Sequence, residues 1–225
     1  MDSTEGHIVR QFDSELAGLR LTLLEMAGLA LRQVESAVQA LLSGDDDAAR
    51  AVISRDATID DYEERVTADT VRLLAQRAPV AGDLRVVIAI GRAVRDLERI
   101  GDEAKKIARY GIEIRAAGRD TPLTQFYRDV RRMARLVTSM LRDSVRSFDE
   151  FDLGAAAAIA ARDAEIDREF RDAMRHLVTF VMEDQRQLSR TINTVFVIKS
   201  LERIGDHAVN LAAGVRYLGG RKRES

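Results

Sequence analysis

Cysteine is absent from all 225 residues. That excludes disulfides, a thiolate nucleophile and thiolate metal sites, so a metal bound by this chain would take carboxylate, histidine or asparagine ligands. Tryptophan is also absent, aromatic residues make up 5% of the chain, and there are two prolines. With so few breakers and so much Ala, Leu, Arg and Glu, the composition is that of a protein of long helices. No apolar run approaches the ~20 residues of a membrane span. Nothing near Met1 combines a charged start, an apolar stretch and a cleavage site, so the chain is expected to be soluble and cytoplasmic. An excess of one charge is lacking as well: 35 Lys and Arg face 37 Asp and Glu, for a net charge of −2. There is no general basic field to hold nucleic acid.

What is present is a repeat. Leu97-Glu98-Arg99-Ile100-Gly101-Asp102 recurs residue for residue as Leu201-Glu202-Arg203-Ile204-Gly205-Asp206, and self-similarity at so long a period means a unit built twice. Residues 12–42 carry apolar side chains three and four apart, including Leu16, Leu19, Leu23, Met26, Ala30 and Val34, the pattern of an amphipathic helix. Ser43-Gly44-Asp45-Asp46-Asp47 ends it. A second helix is expected to about Arg77, stopped at Ala78-Pro79, because proline disfavours the helical conformation in the residue before it. A third runs from near Val80 until the segment 116–122, which holds the second proline and marks the expected boundary between domains. The same plan then repeats over residues 123–148, 155–182 and 188–218, with turns at 149–154 and 183–187. The expected fold is therefore all-α: two tandem three-helix antiparallel bundles, six long helices with an internal pseudo-two-fold repeat. The units are 1–118 and 121–218, followed by a polar tail, 219–225.

An overlay of the halves exposes a second acidic pair. Asp56 and Asp60 on the second helix match Asp163 and Asp167 on the fifth. Each pair is spaced by four, so both carboxylates leave one helix face a turn apart. In an antiparallel hairpin, residues equidistant from the turn lie at one height. Positions 60 and 98, like 56 and 102, are centred on Pro79; positions 167 and 202, like 163 and 206, are centred between 184 and 185. Each half therefore brings four carboxylates to one height on neighbouring helices whose axes lie ~8–10 Å apart. Four close negative charges require facing Arg or Lys, or a multivalent cation, and carboxylate oxygens are hard ligands suited to Mg, Mn, Ca or Fe. Reflection through the first turn places Gln33 and Leu29 opposite the acids, so the first helix adds no carboxylate and the site is expected in the groove between second and third helices. Asn210, a turn beyond Asp206, is a candidate auxiliary ligand; its counterpart, Lys106, cannot coordinate as an ammonium. His207 is expected at the surface, and His176 faces away from the acids. Gly101 and Gly205 sit between the acids and cost ~1 kcal/mol each relative to Ala in a helix, consistent either with a close neighbouring helix or with room for a ligand.

Two units with Asp-x-x-x-Asp on one helix and Leu-Glu-Arg-Ile-Gly-Asp on the next, together with Ala78-Pro79-Val80-Ala81-Gly82-Asp83-Leu84-Arg85 at the first turn, resemble the PhoU family of phosphate-uptake regulators. The resemblance spans essentially the whole chain. It implies a cytoplasmic, homodimeric all-α protein that binds a multinuclear metal cluster (Fe, Mn, Mg or Zn) at Asp56, Asp60, Glu98 and Asp102 and at Asp163, Asp167, Glu202 and Asp206. It implies no catalysis but a regulatory and adaptor role in high-affinity phosphate transport, damping phosphate-starvation signalling and uptake. The implied partners are the ATPase subunit of the phosphate transporter and a phosphate-sensing histidine kinase, with membrane contact only through them. Two other readings stay open: a metal-free helical scaffold, and a carboxylate-bridged di-metal enzyme. The latter wants a Glu-x-x-His pair on a bundle helix, and none occurs in the sequence.

Overall fold

Aspartates and left-handed residues set the helix ends. The computed structural model describes the backbone of residues 2–79, 81–117 and 124–219, and side chains over 11–79, 82–117 and 127–218. These residues form α1 (Asp2–Ser43), α2 (Asp46–Arg77), α3 (Ala81–Ala116), α4 (Thr124–Glu150), α5 (Leu153–Glu183), a 3-10 turn (Gln185–Gln187) and α6 (Leu188–Gly219). Asp45 caps α2 by accepting from the amides of Asp47 and Ala48 at 3.0 and 2.9 Å. Asp152, the matching residue of the later half, caps α5 through the amides of Gly154 and Ala155. Each cap satisfies amides that lack an intrahelical partner. The residues before the two caps, Gly44 and Phe151, both take positive φ, 69° and 54°, so the two turns share one backbone plan. Phe151 adopts it as a non-glycine, its ring lying under the Arg20 guanidinium at 4.6 Å.

Helix α5 starts two residues earlier than the spacing of apolar residues suggests, because the Asp152 cap draws Leu153 and Gly154 into the helix. Ala78 ends α2 in the left-handed region (φ 44°, ψ 55°), one way of meeting the restriction imposed by Pro79. Of the expected boundary segment 116–122, residues 118–122 lie outside the described residues, as does the expected tail 219–225 apart from Gly219, the last residue of α6.

Helices α1, α3, α4 and α6 form the inner part of the molecule, with α2 packed on α1 and α3, and α5 on α4 and α6. The halves meet along α3 and α6 and, less extensively, along α1 and α4. A single hydrophobic core runs through both, including the fully buried Met26, Val34, Ile100, Ile107, Val137 and Ile204. Paired residues along the α3–α6 seam rise on one helix as they fall on the other: Asp96 meets His207, Glu103 meets Arg203, and Tyr110 stacks on Phe196. The two helices therefore run antiparallel about the pseudo-two-fold axis of the repeat.

The glycines of the repeated hexapeptide mark where an outer helix comes closest to an inner one. A Cβ on Gly101 would lie 2.8 Å from Ile59 Cδ1, and one on Gly205 2.9 Å from Ile166 Cδ1. Ile59 and Ile166 are themselves buried, each at the same place in its half. Of the two readings of these glycines, close helix approach is the one with a measured contact. Gly101→Ala is expected to destabilise the fold by about 1–2 kcal/mol in urea denaturation, a typical cost of overpacking. Ile59→Val, which removes the obstructing methyl, should recover most of that loss in the double variant; additive losses would place the strain elsewhere.

Candidate functional site

The acids begin in the core stripe of the outer helices. On α2 the buried residues Ala49, Val52, Asp56 and Ile59 follow steps of three, four and three, and Val66 and Leu73 continue the stripe at steps of seven, the spacing of a helix seam. Asp56 occupies a step where an apolar residue is expected and is 2% exposed. On α5, Ile159, Ile166, Ala173 and Leu177 make the matching stripe, with Asp163 in the corresponding step. A carboxylate in such a place requires compensation. Lys105, reaching from α3, donates from Nζ to Asp56 Oδ2 at 2.6 Å. The other oxygen, Oδ1, is buried without a hydrogen-bond partner, which costs about 1–3 kcal/mol.

In the α2–α3 groove Asp60 lies within electrostatic reach of Asp56 and Asp102, and Glu98 within reach of Asp102 and Asp60. Burial raises the Asp60 carboxyl above its ordinary range; the charges of Asp56 and Asp102 add to the rise and Lys105 opposes it. Glu98 is raised by burial as well, against Arg99 and with support from Asp102, Glu63 and Asp60. Arg99 spans the two acids of its own helix, 3.3 Å from Glu98 and 3.6 Å from Asp102. Gln33 is turned away, donating to the Val52 carbonyl at 2.7 Å, so α1 adds no carboxylate.

The α5–α6 groove repeats the arrangement with a different cation. Burial raises Asp163, with Asp167 and Glu202 adding to it. Burial likewise raises Asp206, with Glu202 and Asp163 adding and Lys199 and His207 opposing. Lys199 Nζ lies 2.7 and 2.6 Å from the two oxygens of Glu202 and 5.3 Å from the centroid of the Phe170 ring.

These donors suit a hard cation: carboxylate oxygens from two helices, charges that disfavour one another's ionisation, and in the first groove a buried oxygen with no partner. As the side chains stand, no three His, Asp or Glu among the described residues converge closely enough to hold one. Asp56 Oδ2 and both Glu202 oxygens are directed at lysines instead.

Several residues stand elsewhere than the sequence suggests. Asn210, the candidate auxiliary ligand, donates from Nδ2 to Asp96 at 3.3 Å across the α3–α6 seam. His207 is half-buried, not on the surface, with Nδ1 2.9 Å from Asp96 Oδ1. Lys106 pairs with Glu103 at 2.8 Å, so the difference between the grooves comes from Lys105 and Lys199, not from Lys106 and Asn210. Glu103 is buried, which would raise its carboxyl, yet hydrogen bonds from Lys106 and Ser200 and the charges of Lys106 and Arg203 hold it below the usual range. His176 reaches α4, with Nδ1 2.9 Å from Asp129 Oδ2. Lys105, Lys199 and Glu63 were missed in the sequence. Lys105 and Glu63 were within reach of the hairpin reflection, which sets both within a turn of the acids, and Lys199 lies three residues before Glu202.

Fold and site together define a class: a double three-helix bundle whose halves each carry an acidic groove between an outer and an inner helix. A family model described as the PhoU domain matches residues 23–111 and 130–215, and the chain belongs to the PhoU family. It is 43% identical over 217 residues to the phosphate-specific transport system accessory protein PhoU homolog of Pseudomonas aeruginosa, covering 96% of this chain and 88% of that protein. To the accessory protein PhoU of Escherichia coli (strain K12) it is 33% identical over 211 residues, covering 94% and 86%. The fold matches the crystal structure of PhoU from Pseudomonas aeruginosa with a TM-score of 0.89 at 42% identity, covering 93% and 99% of the two chains. It matches the phosphate transport system regulatory protein PhoU from Streptococcus pneumoniae with a TM-score of 0.84 at 29% identity, covering 92% and 96%.

The raised carboxyls fix the sign of a pH effect. Asp60, Glu98, Asp163 and Asp206 hold protons more readily in the native state than in the unfolded chain. Between the ordinary and the raised value the unfolded chain binds fewer protons, so their contribution to stability falls as pH rises. In metal-free buffer, Asp60→Asn and Asp206→Asn should each raise the urea midpoint at neutral pH. The gain should shrink as acidification through the carboxylate range protonates the wild-type groups. A lowered midpoint at neutral pH in both variants would contradict this charge balance.

Proposed function

We propose that this chain is a metal-binding accessory protein of the phosphate-specific transport system, restraining phosphate uptake and phosphate-starvation signalling without catalysing a reaction. The names of its relatives support the place in that system. The observation that carries metal binding is the unpartnered, buried Asp56 Oδ1 in a groove of four carboxylates whose plan recurs in the other half. Asp56, Asp60, Glu98 and Asp102 would hold cations in the first groove, and Asp163, Asp167, Glu202 and Asp206 in the second, with Fe, Mn, Mg or Zn as the cluster metals. Bound there, such cations would neutralise the carboxylates and present Lewis-acid positions to a phosphate or to a partner's side chain. The transporter's ATPase subunit and a phosphate-sensing histidine kinase are the proposed partners of a cytoplasmic homodimer that reaches the membrane only through them. No helix among the described residues is long and apolar enough to cross a membrane, in keeping with that arrangement.

A metal-free scaffold is the second reading, favoured by Lys105 and Arg99, which already place positive charge on the acids of the first groove, and by Lys199 in the second. Metal analysis after equilibrium dialysis against Mn²⁺ separates the two. Retained metal, halved by Glu98→Gln with Asp102→Asn, supports the proposal; no retained metal, or a content unchanged in that variant, refutes it. Because Lys105 competes for Asp56, Lys105→Gln should tighten Mn²⁺ binding in the first groove about tenfold, or ~1.4 kcal/mol. Affinity-tagged protein from phosphate-replete cells should recover the transporter ATPase and the kinase. Absence of both would leave the regulatory role without its partners.

A further inference from the structure

The two ends of the α3–α6 seam are not alike. Its antiparallel course puts residues 88–96 of α3 against 210–214 of α6 at one end and, by the internal repeat, residues 192–200 against 106–110 at the other. At the second end large side chains fill the seam: Val195, Phe196, Arg109 and Tyr110, with the Tyr110 and Phe196 rings stacked at 5.1 Å. At the first end the equivalent residues are Gly91, Arg92, Ala213 and Gly214, and a cavity of about 460 Å³ stands there, floored in part by Phe148 of α4.

Packing does not account for the small residues. A Cβ on Gly91 would meet nothing within 4 Å, and one on Gly214 only Phe148 at 3.6 Å, an ordinary contact. Both glycines lie inside helices, where each costs roughly 0.5–1 kcal/mol relative to alanine. The stability forgone has no return in helix contact, unlike that at Gly101. It keeps the cavity open.

The rim gives the chemistry of an occupant. Arg92 and Arg95 stand one turn apart on α3 at its mouth. Arg92 lies over the Tyr217 ring at 5.1 Å, and the Arg95 guanidinium meets no carboxylate among the described residues. The nearest acid in sequence, Asp96, is engaged by His207 and Asn210. Two guanidinium forks without carboxylate partners suit a phosphate group. The apolar floor with its Phe148 ring suits a flat organic body, and Asp96 beside Asn210 offers an acceptor and a donor to a heterocycle's edge. The volume is within the 300–1,000 Å³ typical of small-molecule sites and much larger than one inorganic phosphate requires.

From this geometry we infer that the cavity between the start of α3 and the end of α6 is a binding site for a nucleoside phosphate, with Arg92 and Arg95 on the phosphate and the base over Phe148. The site is separate from both acidic grooves, so it stands or falls independently of metal binding.

Titration of the full chain with fluorescent N-methylanthraniloyl-ADP tests this. Saturable binding, displaced by unlabelled ADP but not by equal inorganic phosphate, is expected. It should weaken at least tenfold in Arg92→Gln with Arg95→Gln, and also in Gly91→Val with Gly214→Tyr, which installs the residues of the opposite end. The arginine variant changes only exposed side chains and keeps the test open if the filled variant does not fold by circular dichroism. Mn²⁺ retention should be unchanged in both. Absence of saturable binding up to millimolar probe overturns the inference. So does affinity unchanged in the arginine variant, or displacement by inorganic phosphate as effective as by ADP.

Discussion

The arrangement depends on how closely two outer helices approach two inner ones. Ile59 lies against Gly101 and Ile166 against Gly205, at separations that leave no room for a β-carbon. Each contact fixes height and rotation of one helix against its neighbour at once, because a glycine on the inner helix accepts the isoleucine at only one register. Everything around it inherits that register. Asp56 and Asp163 sit one helical turn from the isoleucines, and Glu98, Asp102, Glu202 and Asp206 sit within a turn of the glycines. A slip by one residue would rotate each carboxylate by ~100° and disperse the groups.

The same register creates an electrostatic problem, and the two halves solve it differently. In the first groove Lys105 reaches across from α3 to the buried Asp56 on α2. In the second, Lys199 stays on its own helix and pairs with Glu202, and among the described residues no ion pair reaches Asp163. The counterpart of Lys105 is the uncharged Val209, whereas that of Lys199 is Arg95, which keeps the charge but stands at the mouth of the seam cavity. A duplicated backbone thus carries two distinct charge patterns, so the grooves differ in how much negative charge remains for an incoming cation.

The helices, their order and the pairing of acid-bearing helices in each half were legible in the sequence, because each rests on spacing alone. Apolar residues three and four apart define the helices, and reflection through a short turn needs only residue numbers. The turns were placed by the same spacing, although the exact start of α5 depended on the Asp152 cap and its hydrogen bond to Gly154, which spacing does not show. What escaped was the meeting of one half with the other. Nothing in a single hairpin says that α3 lies antiparallel to α6, so the engagement of Asp96 by His207 and Asn210, and the burial of Glu103 beside Arg203, had no local signal. Asn210 looked like a ligand because it follows Asp206 by four residues; that spacing does not show the seam. The long, flexible lysines escaped for a related reason, since their reach decouples the position of the charge from that of the backbone.

The antiparallel seam also sets the valency of the molecule. Among the described residues helix α2 touches α3 but not α6, and α5 touches α6 but not α3, so the acidic grooves lie on different flanks of the α3–α6 seam. With α3 and α6 reversed against each other, the grooves sit at nearly the same height and point their helices in opposite directions. A binder that grips one groove leaves the other free for a second copy, inverted with respect to the first. Two tethered binders, one for each groove, would gain effective concentration only if their spacing and polarity matched that inverted geometry.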